Sequence, residues 1–99
     1  YVVGPSYIDV WFDLRNTTTA TTPGALDIKC PAGITISGAT TNTAGWGYDN
    51  GVATGTLIQP ANGSGAFTNS IRVFRQDLAA WANATNATQV RGFVKIPII

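Results

Sequence analysis

The stretch that decides the fold is QVRGFVKIPII, residues 89–99. Its aliphatic side chains share one parity, at Val90, Val94, Ile96 and Ile98. The other parity carries Arg91, Phe93 and Lys95. Because successive side chains of a strand point to opposite faces, this period of two predicts a strand with one buried face. An uncovered segment this apolar would be adhesive, so we expect it to lie centrally in a sheet or against a partner chain.

The same alternation marks residues 7–14, the clearest strand pattern in the rest of the sequence. One face carries only large apolar side chains, at Ile8, Val10, Phe12 and Leu14. The other face is half aromatic and half acidic, at Tyr7, Asp9, Trp11 and Asp13. The first face is expected to enter the core. The second is either a solvated face with exposed rings or part of a contact between subunits.

Turn signals divide the middle of the chain into further short strands. Residues 25–37 predict a strand, a bend at Pro31-Ala32-Gly33 and a second short strand, because proline is poorly tolerated within a central ladder. The strongest short-range hairpin signal is Asn50-Gly51, which joins the segments 45–49 and 52–60. Residues 67–76 predict another strand.

Two segments depart from the strand pattern. Residues 15–24, with a threonine run and a Pro-Gly pair, predict a polar loop. Residues 77–88 hold the one helix candidate, with Asp77 as its cap, although their Asn-Ala-Thr repeats favour a structured loop with at most one or two helical turns. Seven or so short strands without alternating helices predict one all-β domain over residues 1–99, an antiparallel β-sandwich or jelly roll.

Composition narrows the classes of partner. Charged residues make up 11% of the 99 residues and the net charge is +1, so the chain lacks the basic surface of a nucleic-acid-binding protein. It also lacks the run of about 20 apolar residues that a membrane-spanning helix needs. The single cysteine, Cys30, cannot form a disulfide within the chain and is expected to be a small core residue. A chain without methionine that opens in mid-pattern is expected to be the C-terminal fragment of a longer protein.

The sequence offers little for catalysis. It contains no histidine, and its five acidic residues are all aspartate. No Ser-His or Cys-His pair can therefore form, and no zinc-ligand pattern is possible. Asp9 and Asp13 lie four residues apart, about 13 Å along a strand, whereas paired glycosidase carboxylates are about 5–9.5 Å apart. We predict a protein that is not an enzyme and has no cofactor and no metal.

Binding is the remaining kind of function that the residues suggest. Aromatic rings beside amide and carboxylate groups suit glycans, and the predicted hairpin tip carries such a set at Trp46, Tyr48, Asp49 and Asn50. The alternative is that both rings pack on the sheet while the tip only turns the chain. The third tryptophan, Trp81, is either a further ligand contact or a plug over one end of the sandwich.

Four stretches resemble the C-terminal jelly-roll domains of tailed-bacteriophage fibres and related virion appendages, which are similar to the complement-head and tumour-necrosis-factor architecture. They are residues 6–12, the strand-Pro-Ala-Gly-strand unit at 26–36, the segment 45–51 with the following Thr-Gly-Thr, and the closing KIPII. One departure is that the usual opening strand, with a Trp and a Val-Gly turn, is absent or reduced to residues 1–4.

The resemblance implies a homotrimer in the virion, at the distal end of a fibre, that attaches to a host-surface glycan or protein receptor. Side chains expected to contact sister chains are those of the mixed strand face and of the apolar end, at Tyr7, Trp11, Phe93, Ile96, Ile98 and Ile99. Two alternatives stay open. One is a pilin-like subunit of an extracellular filament at the cell surface, and the other is a carbohydrate-binding module attached to an enzyme.

Overall fold

A computed structural model describes residues 1–19, 21–37, 43–62 and 69–99. This part of the chain contains seven strands: β1 Val2–Val3, β2 Tyr7–Thr19, β3 Leu26–Lys29, β4 Thr43–Asp49, β5 Val52–Ala61, β6 Ser70–Arg75 and β7 Ala84–Pro97. They form one antiparallel sheet in the order β1-β2-β7-β4-β5-β6-β3. The sheet curls on itself, which confirms the predicted all-β fold of sandwich or jelly-roll type.

The closing strand β7 lies between β2 and β4, as its pattern predicted. Register places Ile96 opposite Ile8 and Val94 opposite Val10. These side chains pack against Ile58 and other residues of the facing half of the curled sheet. Ile8, Val94 and Ile96 are 0% exposed. Each contributes about 1.5–3 kcal/mol by its burial, before the loss of conformational entropy is subtracted.

The polar loop predicted from residue 15 begins later in the structure. β2 continues to Thr19, where it still pairs with β7 at Thr17–Thr88 and Thr19–Ala84. The hydroxyls of Thr19 and Thr88 share a buried hydrogen bond of 2.9 Å. Threonine is a good strand residue when a partner strand is present, and that partner is far away in sequence. The prediction of a loop over these residues was therefore wrong.

The helix considered for residues 77–88, all of which the structure describes, is absent, and the favoured loop is confirmed for residues 77–83. Residues 77–83 form a loop, and the Asn-Ala-Thr repeat from Ala84 onward is the start of β7. Asp77 does not cap a helix. Its carboxylate accepts hydrogen bonds from the Ala79 amide at 3.0 Å and from the Arg75 guanidinium at 2.6 Å. Pairing with β2 overrides the weak local preference of this segment.

The Asn-Gly hairpin is confirmed. β4 and β5 pair through Asp49 and Val52, and both residues between them have positive φ, 50° at Asn50 and 80° at Gly51. This is the backbone that a two-residue type I′ turn needs. The strand-bend-strand prediction for residues 25–37 is confirmed for β3, whereas its second strand is reduced to one bridge, Ile36 with Ile98. The strand predicted at 67–76 is β6, and residues 67 and 68 lie outside the described ranges.

Trp81 closes one end of the curled sheet. Its side chain is 0% exposed and packs with Val73 and Val90. The indole Nε1–H donates to the Val73 carbonyl at 3.1 Å, and the Trp81 amide donates to the Pro23 carbonyl at 2.8 Å. The alternative that Trp81 is a plug is therefore the correct one. The partly buried Cys30 packs against the main core cluster.

Candidate functional site

The face of the sheet that points away from the core carries the most unusual group of side chains. Register in β2 and β7 places Asp9 opposite Lys95, Trp11 opposite Phe93, and Asp13 opposite Arg91. We call this surface the outer face; its members are Tyr7, Asp9, Trp11 and Asp13 of β2, Arg91, Phe93 and Lys95 of β7, and Trp46 and Tyr48 of β4. Four of its rings are well exposed, namely Trp11 at 57%, Tyr7 at 46%, Trp46 at 40% and Phe93 at 38%.

The rings of the outer face are held by each other and by cations. Trp11 and Phe93 are in tilted contact, with ring centroids 5.1 Å apart. The Lys95 ammonium lies 5.2 Å from the Tyr7 ring centroid and 3.8 Å from a carboxylate oxygen of Asp9. Such contacts fix ring orientation at a modest energy of about 0.5–1.5 kcal/mol each. The rings are therefore exposed but ordered.

Trp46 extends this arrangement onto β4. It pairs in register with Arg91, whose guanidinium carbon lies 4.6 Å from the centre of the Trp46 ring. Tyr48 meets Trp46 edge to face, with centroids 5.3 Å apart. Asp13 of β2 pairs with Arg91 from the other side of β7. The guanidinium of Arg91 therefore lies between Trp46 and Asp13.

A groove opens where β4 and β7 diverge. The two strands pair only from Trp46 to Tyr48, although β4 stays paired with β5 as far as Thr43. Beyond Trp46 the outer face has a shallow cavity of about 570 Å³. Its lining is Trp11, Phe12, Asp13, Ala44, Gly45, Trp46, Arg91, Gly92 and Phe93. The groove thus combines three exposed aromatic rings with one carboxylate and one guanidinium.

Glycines determine how closely the strands approach beside the groove. A Cβ atom at Gly47 would overlap the carbonyl oxygen of Gln89, and one at Gly45 would lie 2.7 Å from the carbonyl oxygen of Arg91. Only glycine therefore lets β4 lie against β7 at this place. This close approach brings Trp46 over Arg91.

The two charged groups of the groove differ in their partners. Asp13 accepts hydrogen bonds from Arg15, at 2.8 Å from Nη2 and at 3.1 and 3.2 Å from Nε. This hydrogen bonding lowers the pKa of the Asp13 carboxyl below its usual value, with a further contribution from the charges of Arg15 and Arg91. Arg91 Nε lies 3.9 Å from Asp13, too far for a hydrogen bond, and it is buried without a hydrogen-bond partner among the residues that the structure describes.

The residues predicted for the hairpin-tip site do not stay together. Trp46 and Tyr48 lie on the outer face, whereas Asn50 is exposed in the turn. Asp49 is only 6% exposed and is fully engaged: it accepts 2.8 and 2.9 Å hydrogen bonds from Arg75 and from the Ala82 amide. Asp49 points away from Trp46 and Tyr48, because adjacent residues of a strand face opposite ways, and its role as a ligand contact stays a prediction.

Two further assignments need correction. Trp81 has no exposed surface and cannot touch a ligand. Ile96 is likewise 0% exposed within its own chain, so its side chain is not available to a sister chain. Ile98 is half-buried and its amide donates to the Ser6 carbonyl at 3.0 Å, whereas Ile99 is 86% exposed. Contacts of Tyr7, Trp11, Phe93, Ile98 and Ile99 with sister chains stay predictions.

Sequence reasoning did not find the groove itself. Ala44, Gly45 and Gly92 line it, and none of them carries a chemical group that attracts notice. Glycine within a strand pattern marks a place where another backbone or a ligand approaches closely, and the pairs Gly45-Trp46 and Arg91-Gly92 bear that signal. Which strands meet there depends on pairings between residues far apart in the chain, such as Trp46 with Arg91 and Trp11 with Phe93.

Other kinds of site are not found in the described ranges. Among those residues no group of three or more His, Cys, Asp or Glu side chains could hold a metal ion. None of the described segments is a helix of the length and apolarity required to cross a membrane. No protein family matches the chain, and no curated protein or solved structure matches it either. The groove of the outer face, with its three exposed aromatic rings, is the candidate site taken further.

Proposed function

We propose that the domain is a non-enzymatic attachment module that binds a glycan in the groove of the outer face. The observation that carries this proposal is the pair of exposed tryptophans, Trp11 and Trp46, in one groove with Asp13 and Arg91. A pyranose ring has apolar C–H faces that stack on aromatic rings and hydroxyl groups that hydrogen-bond to charged side chains. Both kinds of contact are present here within reach of one small ligand.

The dimensions of the groove agree with this use. Ligand pockets in proteins enclose about 300–1,000 Å³, and the groove measures about 570 Å³. It is shallow and open, so it suits the side or the end of an extended chain better than an enclosed small molecule. Its rings are held in place by mutual contacts, which lowers the entropy lost on binding.

The charges of the outer face favour a polar ligand over a tight contact between subunits. Cores of stable subunit interfaces are poor in charged residues. Here Asp9, Asp13, Arg91 and Lys95 alternate with the rings, and each would have to give up water in such an interface. We therefore assign Tyr7, Trp11 and Phe93 to the ligand surface in this proposal.

Self-association is proposed at a different place. Val2 and Val3 are 56% and 45% exposed on β1, and Ile99 is 86% exposed. β1 pairs with β2 at Ile8, and the amide of Ile98 donates a hydrogen bond to the carbonyl of Ser6, two residues before Ile8. Both apolar segments therefore lie at the same end of the sheet. Exposed apolar surface of this kind marks contacts between proteins. A homotrimer joined here, at the tip of a virion fibre as the resemblance implies, would present several grooves to a host surface.

A glycan array probed with the labelled domain tests the binding proposal. We expect bound glycans for the unmodified protein and at least a tenfold loss of affinity in Trp11→Ala and in Trp46→Ala. Val52→Ala is the matched control, because Val52 is 69% exposed but lies outside the groove. Binding that survives both tryptophan substitutions would overturn the proposed site.

Size-exclusion chromatography with light scattering tests the assembly. The proposal expects a trimer at micromolar concentration and a monomer in Val2→Asp/Ile99→Asp. A clean monomer of the unmodified domain contradicts the trimer without affecting the groove. Electron micrographs that show helical polymers in place of three-fold particles would favour the pilin-like alternative.

A further inference from the structure

We infer that the glycan of the groove is acidic, and that Arg91 recognises its carboxylate. This inference rests on the proposed function, because it names the class of sugar that the same groove would take. The charges to compare are those of Asp13, Arg15 and Arg91. Asp13 and Arg91 line the groove, and Arg15 forms an ion pair with Asp13.

The carboxylate of Asp13 already has its counter-ion. Arg15 stands two residues along the same strand and forms a two-pronged contact with it, with the shortest distance 2.8 Å. Two-pronged pairs of this kind are the stronger class of charged hydrogen bond. Asp13 therefore presents little uncompensated negative charge to a ligand.

Arg91 is placed differently. Its ion pair with Asp13 is long, at 3.9 Å, and within the described ranges its guanidinium donates no hydrogen bond. The Trp46 ring lies 4.6 Å from its guanidinium carbon and holds the guanidinium in the groove. A guanidinium has five N–H donors in a planar fork that matches a carboxylate. Because Nε is buried, the two terminal Nη groups of Arg91 are the donors that a ligand can reach.

The net charge at the groove also favours an acidic ligand. The cluster at the groove has one carboxylate and two guanidinium groups, so it carries one excess positive charge. The remaining pair of the outer face, Asp9 with Lys95, is internally balanced and does not line the groove. A sugar with a single carboxylate, stacked on Trp11 or Trp46, would neutralise this excess.

The test is an array on which each uronate- or sialate-bearing glycan is printed beside its methyl ester, together with neutral glycans. The ester keeps the ring and removes the charge. We expect the acid to bind at least about tenfold more tightly than its ester, with the difference shrinking at 0.5 M salt as ionic contacts are screened. Equal binding of acid and ester, or binding to neutral glycans only, overturns the inference and leaves the proposed function intact. Binding to none of the glycans overturns both.

Variants separate recognition from structure. Arg91→Gln should abolish the preference, so that the acid and its ester bind equally, and Arg91→Lys should restore part of the preference. Lys95→Gln is the matched control, because it removes the same charge from the outer face outside the groove. Melting temperatures of all three variants report on the fold. If Lys95→Gln lost the preference as fully as Arg91→Gln, a general charge effect would replace the assigned contact.

Discussion

The two faces of the β2–β7 pair use alternate residues of the same two strands, yet they differ in almost every property. On the inner face Ile8, Val94 and Ile96 are 0% exposed. On the outer face the large apolar side chains of Trp11 and Phe93 are 57% and 38% exposed. The comparison teaches that the curled sheet covers one face only. Large rings on the other face remain in contact with solvent, where they can serve binding.

The faces also differ in what holds them together. The inner face is stabilised by packing against β5 and β6. The outer face is organised by ring contacts, cation–π contacts and long ion pairs, which are individually weak in water. Substitutions on the inner face should therefore reduce stability, and those on the outer face should reduce binding.

The largest effect is expected for Ile96→Ala on the inner face. Removing a fully buried aliphatic side chain leaves a cavity, and the free energy of unfolding should fall by about 2–5 kcal/mol. Urea denaturation followed by tryptophan fluorescence measures it. The neighbouring Lys95→Ala, on the opposite face, is the control and should change the free energy by about 0.5 kcal/mol or less. Similar losses for the two variants would contradict the assignment of the faces.

A smaller loss of stability is expected for Gly47→Ala, where β4 meets β7. The added methyl group would overlap the Gln89 backbone, so the strands must move apart at a cost of about 1–3 kcal/mol. Because this contact also places Trp46 over Arg91, glycan affinity should fall too. Gly24→Ala is the control, since a methyl group there meets no atom of the described residues within 4 Å. An unchanged melting temperature in Gly47→Ala would argue against close pairing of β4 with β7.

Phe93→Ala tests the outer face, where we expect a large loss of binding and a small loss of stability. It removes one exposed ring and its contact with Trp11, so the free energy of unfolding should fall by only about 1 kcal/mol. Affinity for the glycan should fall at least tenfold, because Phe93 lines the groove. Calorimetric titration and urea denaturation of the same variant give both numbers. A loss of stability as large as that of Ile96→Ala would mean that the outer face is part of the core.

The smallest effect concerns acid pH. Hydrogen bonding to Arg15 lowers the pKa of Asp13 from its ordinary value of 3.8, so the charged form is favoured in the folded state. Its stabilising contribution is present above pH 3.8 and is lost as the pH falls through the lowered pKa of the folded state. Melting temperatures between pH 2 and 6 should fall slightly less steeply in Asp13→Asn than in the unmodified domain. A steeper fall in the variant would reverse the sign of this assignment.

Much of the fold could be predicted because its signals are local. The parity of residues 89–99 and 7–14, and the Asn50-Gly51 turn, depend on neighbouring residues only, and the structure confirms them. The length of β2 and the start of β7 could not be predicted, because Thr17–Thr19 and Ala84–Thr88 are strands only when paired with each other. The burial of Asp49 likewise depends on Arg75, and that of Trp81 depends on Val73. Both partners lie in β6, outside the segments that contain Asp49 and Trp81.

By itself the amino-acid sequence determined that the chain is all-β, and which residues of its main strands share a face. Only the tertiary structure decided that Asp49 and Trp81 are interior, and that Trp11, Trp46 and Arg91 meet in one groove. The physical reason is that parity is a property of a single strand. A groove is formed by the register and divergence of three strands, β2, β7 and β4, and register is set by contacts between residues far apart in the chain.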